Sequence, residues 1–515
     1  MVDLVIQNAR LWDGTGPLPR AASLVLQQGR LLEVAAADLS LDAPTIDVRG
    51  SVVTPGLVDA HIHLLLGGET ISQVDLSQVT GRESFEATIE QAAASLPEDR
   101  WLVASGWNET LWSGGQLPDR SWLAAAGSRP VVCWRCDWHA VLVNDVVLER
   151  LDLSQNITGG HVGRDASGNP TGLLAEAAAW ELVNPLVPAM PEADRMQSRD
   201  RAMQHLLEHG VTMARTMEYR ADVEQFLSPL AGQLPVRLSV VQLDRELPLD
   251  TAWHADMPRT DRLRLTGCKA FFDGTLGSRT ARLHEPYADA SDSRGLWVER
   301  ANEGLDGAWC QQVCEAGLVP VVHAIGDAAV LRALELFRTC PTEIHPTLEH
   351  AQLVGPAELA AMGGMRLSVQ PTHRAADARM ADARLGERAC RLLPLRDMQA
   401  AGARLSFGTD WPIVPVDPVA TLRAAITGED DSGQPFYSDQ AISPTAAMHA
   451  HTYEAAEVCG FDPPLRVGAE ADFVVWSGDP FDNIHAASVQ ATVVAGTLLA
   501  GEWPQEDRAK RSTSA

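Results

Sequence analysis

Side chains able to bind metal or transfer protons recur at the ends of apolar runs in this chain. The segment "VDAHIH" ends in His61 and His63, whose alternation along a strand points both imidazoles to the same side. Further candidates stand in "GCKAFF", "VVHA", "LEHA" and "FGTD". Imidazole and carboxylate groups suit zinc, with manganese, iron or nickel as alternative ions. The joint pattern predicts a metal site, and its candidate groups are His61, His63, Lys269, His323, His350 and Asp410.

The lysine in this set is unusual for the chain. There are 41 Lys plus Arg residues, and only Lys269 and Lys510 are lysines. A guanidinium group cannot lose its proton or form a carbamate or an imine, so a lysine inside an apolar strand indicates chemistry of the amine. The alternative is a lysine buried by chance, which is costly when the ammonium has no partner.

Eight apolar runs separated by helical patterns position these groups. Continuously apolar strands that alternate with helices indicate a parallel sheet in an α/β fold. Eight such units predict a closed (β/α)8 TIM-like barrel over residues 56–459, with catalytic groups at the C-terminal ends of its strands. The runs are "GLVDAHIH", "GVTMARTM", "VRLSVVQL", "LRLTGCKAFF", "LVPVVHA", "HPTLEHA", "MRLSVQP" and "RLSFGTD".

The rest of the chain divides around this barrel. Residues 1–55 and 460–505 are rich in short strand patterns, and neither end alone can bury a face, so they predict one small β-sandwich domain. Residues 64–205 form a large insertion after the first barrel strand, and residues 506–515 form a flexible tail. The insertion is expected either to roof the active site or to pack a core of its own. It holds seven of the 14 tryptophans: Trp101, Trp107, Trp112, Trp122, Trp134, Trp138 and Trp180.

Composition restricts the partners and the compartment. A formal charge of -27 argues against nucleic acid and anionic membranes as partners, because both attract basic surfaces. The N-terminus has no signal-peptide pattern, and no apolar run reaches the length of a membrane span, so a cytoplasmic protein is expected. The cysteine pairs Cys133/Cys136 and Cys310/Cys314 lack a second pair at zinc-finger spacing and are predicted to be structural thiols.

Taken together, the motifs resemble those of the amidohydrolase superfamily, in the branch similar to N-substituted formamide deformylase, also called amidohydrolase family 3. The resemblance covers nearly the whole chain and is specific for the branch rather than for a substrate. The segments that carry it are "TPGLVDAHIHL", "CKAFFDGTLGSRTARL", "VVHAIGDAAV", "LEHAQLV", "SVQPTH", "GTDWPIVPVDP" and "RVGAEADFVVWSGDPF".

The resemblance implies a ligand set. His61, His63 and Asp410 would hold one divalent metal, most simply zinc, and His323 and His350 a second. In the two-metal state Lys269 would bridge them as an N-carboxylated lysine, because a carbamate offers two hard oxygen ligands that the free amine lacks. Some relatives work with one metal, so both states stay open.

The resemblance also implies a mechanism. The metal would acidify a water to give hydroxide and polarise the substrate carbonyl, and Asp410 would pass the proton to the leaving nitrogen. The expected reaction is hydrolysis of a non-peptide carbon–nitrogen bond, in an amide or formamide small-molecule substrate. The tryptophan-rich insertion predicts an apolar or aromatic N-substituent. Cyclic amides and N-acyl amino acids are the alternative substrates.

Other positions are candidates for substrate binding. In "RCDWHAVLVN" Trp138 replaces a glycine that is usual in the family, so His139 is either a pocket residue or a hydrogen-bonded histidine of the insertion. Glu176 is either a pocket residue or a helix-face acid. Histidines away from strand ends, including His449 and His451, are predicted to be structural. The substrate-binding candidates are His139, Glu176, Asp273, Ser278, Arg279, Gln370 and Trp411, and His373 is expected to border the pocket.

Two other function classes compete with hydrolysis. A Schiff-base lyase would also place a lone lysine, here Lys269, in a barrel strand, but it has no use for four histidines at strand ends. A non-catalytic scaffold would lack one or more ligands, whereas the full set is present here. A homo-oligomer is a family-level expectation that no sequence spacing tests.

Overall fold

The structure, a computed structural model, describes residues 2–97, 99–153, 157 and 159–504. The predicted flexible tail 506–515 lies outside the described residues. The central feature of the fold is a sheet of eight parallel strands, each hydrogen-bonded to the next in chain order. We number them as the first to eighth barrel strands: Leu57–Ile62, Val211–Glu218, Arg237–Gln242, Leu263–Phe271, Val319–Ala324, Thr347–His350, Arg366–Val369 and Arg404–Phe407.

The sheet closes on itself where the first and eighth strands end. The backbone N–H of Asp410 donates to the carbonyl of His61 at 2.7 Å, and that of His63 donates to the carbonyl of Trp411 at 2.8 Å. Every residue of the first and second strands is buried, as expected for strands covered on both faces. The predicted eight-stranded barrel is confirmed.

Helices connect the barrel strands and bury one face each. In the helix Asp327–Phe337 the buried residues Val330, Leu334 and Phe337 recur at helical spacing and pack into the main hydrophobic core. Within the described part of the chain, no helix is long and apolar enough to cross a membrane. The α-helices of this region are Glu192–Glu208, Arg220–Asp222, Glu299–Glu303, Asp306–Glu315, Asp327–Phe337, Pro356–Ala361, Pro371–Leu385, Leu395–Ala400, Pro418–Thr427, Pro444–Ala450 and Tyr453–Val458.

Strands from both ends of the chain form one continuous sheet. Val52–Pro55 pairs antiparallel with Phe473–Ser477, which joins the N-terminal strands to the C-terminal ones. This sheet has a buried cluster of its own, separate from that of the barrel, which includes Ile6, Val53 and Phe473. Its strands are Leu4–Leu11, Arg20–Gln27, Arg30–Ala35, Thr45–Asp47, Val52–Pro55, Phe473–Ser477, Ser488–Val494 and Thr497–Gly501.

The segment after the first barrel strand carries a six-stranded sheet of its own. Its cluster of buried side chains includes Phe85, Trp107, Trp112 and Trp122. Trp112 stacks on Trp122 with ring centroids 5.5 Å apart. Its strands are Val74–Asp75, Leu102–Trp107, Val131–Arg135, Ala140–Val143, Gly160–Arg164 and Pro170–Glu176, and its α-helices are Leu64–Thr70, Arg82–Ser95 and Asp145–Leu148.

Candidate metal centre

The six predicted ligands converge at the C-terminal end of the barrel. His61, Lys269, His323 and His350 lie in or at the ends of the first, fourth, fifth and sixth barrel strands, and His63 and Asp410 follow the first and eighth. Parallel strands of a closed barrel end at one rim, so residues far apart in sequence meet there. Five of the six are fully or almost fully buried, and His63 is partly exposed.

Asp410 lies among the histidines of the first strand. Its Oδ1 is 3.2 Å from Nε2 of His61 and 3.5 Å from Nε2 of His63. Nζ of Lys269 lies 2.9 Å from Nε2 of His61. One carboxylate oxygen, two imidazole nitrogens and an amine thus border a single small volume.

The other two histidines stand on the far side of that volume. The rings of His323 and His350 are 4.4 Å apart between centroids, and His350 is 5.0 Å from His61. Nδ1 of His350 lies 3.9 Å from Oδ2 of Asp410. His61, His350 and Asp410 each place a ligand atom within 4.8 Å of the others, so these groups could hold a metal ion.

Burial sets the protonation of these ligands. It lowers the pKa values of His61, His323 and His350 well below the usual range, because the charged imidazolium is poorly solvated there, and the neighbouring cations lower them further. Neutral imidazoles keep the lone pairs that a metal needs. Burial also lowers the pKa of Lys269 to about 8, which raises the fraction of the neutral amine. The donor set therefore fits a divalent cation.

A buried carboxylate orients His61 from behind. Oε2 of Glu349 lies 2.5 Å from Nδ1 of His61, and Oε1 accepts a hydrogen bond from Nη1 of Arg215 at 3.0 Å. An imidazole that donates from Nδ1 keeps Nε2 free for the centre. Burial raises the pKa of Glu349 to about 7, although the nearby cations of Arg215 and Lys269 oppose that rise.

A second buried carboxylate fixes the position of Asp410. Asp59 accepts hydrogen bonds from the backbone N–H and the hydroxyl of Thr409, at 3.0 and 2.7 Å. It also accepts from the N–H of His61 at 3.2 Å, so it ties the first strand to the eighth. The backbones of Asp410 and His350 have φ of 63° and 69°, in the left-handed region that non-glycine residues seldom occupy. Neighbouring structure therefore holds both ligands in unusual conformations.

A cavity of about 520 Å³ opens above the candidate ligands. His139 and Phe271 are among its walls, with His139 5.4 Å from the ring of His323. Burial lowers the pKa of His139, but the carboxylate of Glu176, 2.9 Å from Nδ1, outweighs that effect and raises it. The side chains that line the cavity include Trp134, Trp138, His139, Trp180, Met217, Phe271, Asp377 and Met380.

Of the seven predicted substrate-binding residues, His139 lines the cavity. Glu176, Gln370 and Ser278 do not line the cavity but hydrogen-bond to residues that do, namely His139, His350 and Asp137. Asp273 lies behind the wall, where its carboxylate accepts from the backbone N–H groups of Arg282, Ile325 and Gly326.

Arg279 and Trp411 lie away from the cavity walls. Arg279 forms an ion pair with Asp289 at 2.8 Å. Trp411 is buried in the main core, where its indole packs over Gly67 and beside His205. Its ring lies in the core although Asp410, the preceding residue, lines the cavity. His373, in contrast, lines the cavity as expected.

The tryptophans of the insertion divide between two roles. Trp107, Trp112 and Trp122 belong to its own core. Trp134, Trp138 and Trp180 line the cavity, and with Trp101 they also take part in the second buried cluster of the insertion. The insertion therefore packs cores of its own and also contributes aromatic rings to the cavity wall.

The cations of the cavity wall are already neutralised. Among the described wall residues, the arginines are Arg135, Arg195 and Arg245. Their ion-pair partners are Glu109 and Asp137, Glu69 and Asp222, and Glu299, in that order. An anionic substrate group would have to compete with these carboxylates.

The sequence analysis did not identify three residues that lie at or behind the candidate metal centre, namely Arg215, Glu349 and Phe271. Glu349 directly precedes His350 in "LEHA", but nothing in that motif shows that it faces His61. Phe271 stands two residues after Lys269 on the same strand, and the period of two could have placed it at the site. Arg215 lies in the second barrel strand, where its pairing with Glu349 depends on barrel closure.

Known proteins provide an independent comparison. The sequence profile of the amidohydrolase family matches residues 44–502. The protein LONG AFTER FAR-RED 3 of Arabidopsis thaliana is 30% identical over 97% of this chain and 92% of its own length. The N-substituted formamide deformylase of Arthrobacter pascens is 25% identical over 97% of this chain and 98% of its own.

A solved structure has the same fold across its length. The crystal structure of an uncharacterized metal-dependent hydrolase from Pyrococcus horikoshii has a TM-score of 0.73 and 27% identity, covering 93% of this chain and 98% of that one. These matches show that the chain belongs to the amidohydrolase family and is a hydrolase that acts on carbon–nitrogen bonds.

Proposed function

We propose that the chain hydrolyses a small amide or formamide whose nitrogen carries an apolar or aromatic group. One observation carries the proposal: four histidines, Lys269 and Asp410 meet at the floor of a cavity whose walls hold Phe271 and Trp180. The floor offers polar groups for bond cleavage, and the wall offers aromatic surface for binding.

The floor residues match a divalent metal, and zinc suits their chemistry. Bound there, such an ion supplies an acidified water and polarises the carbonyl oxygen of an amide. His61, His63 and Asp410 would hold one ion, and His323 and His350 a second. In a two-metal state Lys269 would serve as a carbamate: its neutral amine adds carbon dioxide and releases one proton, and the new carboxylate carbon bonded to the nitrogen carries two oxygen donors.

Asp410 moves the proton in this proposal. Its oxygens face His61, His63 and His350, and it is almost fully buried. The carboxylate takes a proton from the attacking water and returns it to the leaving nitrogen, because an amine leaves poorly unless it is protonated. His139, which faces the same volume, is placed to donate a hydrogen bond to the carbonyl oxygen as charge develops on it.

The cavity wall favours a neutral substituent. Its arginines are paired with carboxylates, so they offer little to an acidic substrate. Trp180 lies 5.8 Å from Phe271 between ring centroids, and Trp138 stacks on Trp134 at 5.1 Å. The relative from Arthrobacter pascens, an N-substituted formamide deformylase, supports the same reaction class. N-acyl amino acids fit less well, because they carry a carboxylate.

The test measures bound metal and substrate choice together. Protein purified without chelators is analysed for metals and incubated with an N-arylalkyl formamide, a cyclic amide and an N-acyl amino acid. Released acid and amine are quantified for the formamide and the N-acyl amino acid, and the ring-opened product is quantified for the cyclic amide. We expect one or two transition ions per chain and fastest release from the formamide. Preference for small charged substrates would contradict the proposed substituent.

Two variants test the role of the lysine. Lys269→Met removes the amine, and Lys269→Arg keeps a cation that cannot form a carbamate. We expect both to lose activity by at least two orders of magnitude. A Schiff-base enzyme would instead give a substrate adduct on Lys269 that borohydride traps, and such an adduct would overturn hydrolysis as the reaction.

A further inference from the structure

Three cysteine thiols meet far from the candidate metal centre. Cys310 and Cys314 are four residues apart on the helix Asp306–Glu315, so they lie on one face of it. Cys340 follows the helix Asp327–Phe337, and its Sγ lies 3.4 Å from that of Cys310. All three sulfur atoms lie within 4.8 Å of one another.

The cluster lies at the opposite end of the barrel from the cavity. Both cysteine-bearing segments lead into barrel strands, Cys314 into Val319–Ala324 and Cys340 into Thr347–His350. The C-terminal ends of the helices therefore lie near the N-terminal ends of these strands, whereas the candidate metal centre lies at the C-terminal ends. The thiols cannot share an ion with that centre.

The surroundings of the cluster leave it open on one side. Cys310 packs into the main hydrophobic core, and Cys314 and Cys340 are only partly buried. A cation could therefore reach the sulfur atoms from solvent through the last two.

The spacing fits a metal ion. With a zinc–sulfur bond near 2.3 Å, two thiolates on a tetrahedral ion lie about 3.8 Å apart. The observed separations, 3.4 Å for one pair and no more than 4.8 Å for the rest, need only small side-chain shifts to reach that value. The group of ligand atoms contains sulfur alone, which selects soft cations over magnesium or calcium.

We propose that Cys310, Cys314 and Cys340 bind one soft metal cation, of the class of Zn²⁺, Cd²⁺ or Cu⁺, as three thiolates. Binding forms three metal–sulfur bonds and releases the thiol protons to solvent, and water or an external thiol completes the coordination. The ion joins two neighbouring helices at the closed end of the barrel. It stabilises the fold there and takes no part in the reaction at the other end.

Cadmium alone is the probe that separates this site from the candidate metal centre. Thiolate-to-cadmium charge transfer absorbs in the ultraviolet, whereas imidazole and carboxylate ligands give no such band. Reduced protein is titrated with Cd²⁺ as wild type, Cys314→Ser and Cys340→Ser, with Cys390→Ser as the matched control. Cys390 is exposed, outside the cluster, and its thiol donates to the carbonyl of Glu387.

We expect a thiolate band that saturates at one equivalent in the wild type and in Cys390→Ser. Its apparent affinity should fall at least tenfold in Cys314→Ser and in Cys340→Ser. A His61→Asn variant should keep the full band, since its substitution lies at the other end of the barrel. Thermal melting of each variant without metal establishes that the serine proteins are folded.

Three results would overturn the proposal. The first is no thiolate band in the folded wild type. The second is a band that persists unchanged in both serine variants, which would place the cadmium on other cysteines. The third is isolation of the untreated protein with a disulfide between Cys310 and Cys340, seen as a loss of two hydrogen masses that reduction restores without any gain in cadmium binding.

Discussion

The carboxylate of Glu349 stands between the imidazole of His61 and the guanidinium of Arg215, 2.5 Å from Nδ1 of the first and 3.0 Å from Nη1 of the second. All three side chains are buried. The chain of contacts places a carboxyl group, paired with a guanidinium, directly behind a candidate metal ligand. It makes the imidazole a stronger donor and holds its ring in one orientation.

Replacing Glu349 with Gln should weaken metal binding. The glutamine keeps a hydrogen-bond acceptor but removes the charge, which leaves Arg215 buried without its ionic partner. We expect the metal affinity to fall on the order of 10–100-fold, measured by competition with a chromogenic chelator. Glu457→Gln is the matched control, because Glu457 pairs with surface arginines far from the site. Equal affinities in the two variants would contradict the orienting role.

The sequence predicts the candidate metal ligands but not the residues that stand behind them. Alternation of strand and helix patterns predicts the barrel, and barrel geometry then gathers His61, Lys269, His323, His350 and Asp410 at one rim. Which residues stand behind the ligands depends on side-chain directions across several strands. Arg215 and Glu349 are 134 residues apart in sequence, and no local pattern links them. The direction of the Trp411 ring is likewise set by packing against a residue distant in sequence, Gly67.

Trp180 should control the preference for aromatic substituents. Its indole lies 5.8 Å from Phe271 in the cavity wall, and its N–H donates to the carbonyl of Trp138. In Trp180→Ala we expect KM for an N-arylalkyl formamide to rise about five- to tenfold, from the loss of an aromatic contact worth about 1 kcal/mol. With an N-methyl formamide as the control substrate KM should stay within twofold. A parallel rise for both substrates would indicate a general collapse of the wall instead.

The close approach of the Trp411 ring to Gly67 leaves no room for a side chain at position 67. A Cβ at Gly67 would lie 2.4 Å from a ring atom of Trp411, whose ring is fixed in the core. We expect Gly67→Ala to lower the free energy of unfolding by about 1–3 kcal/mol, measured by urea denaturation. It should also reduce metal binding, because Trp411 adjoins Asp410 in the chain.

The matched control for this prediction is Gly307→Ala. Gly307 lies in the helix Asp306–Glu315, and a Cβ there meets nothing within 4 Å. Alanine is the better helix former, so this variant should be neutral or up to about 1 kcal/mol more stable. Unchanged stability in Gly67→Ala would show that the Trp411 ring can move aside.

A buried histidine outside the site should make stability depend on pH. His451 is fully buried, its Nδ1 lies 2.9 Å from the carbonyl of Val58, and its Nε2 has no hydrogen-bond partner among the described residues. Burial lowers the pKa of His451 from 6.5 to about 4. The unfolded chain therefore binds a proton more readily than the folded one between these values. The stabilising contribution of the neutral imidazole is complete above pH 6.5 and is lost as the pH falls toward 4.

The variant His451→Gln tests this linkage, because glutamine keeps a hydrogen-bond donor but does not titrate. Other buried histidines also destabilise the wild type in acid, so the informative quantity is the difference between the two proteins. Between pH 7 and pH 5 the wild type should lose about 2 kcal/mol more unfolding free energy than the variant. Urea denaturation at both pH values measures it. Equal losses of unfolding free energy in the two proteins would mean that His451 binds its proton equally well in the folded and unfolded chain. The pH dependence would then originate in other groups, first of all in the histidines of the cavity floor.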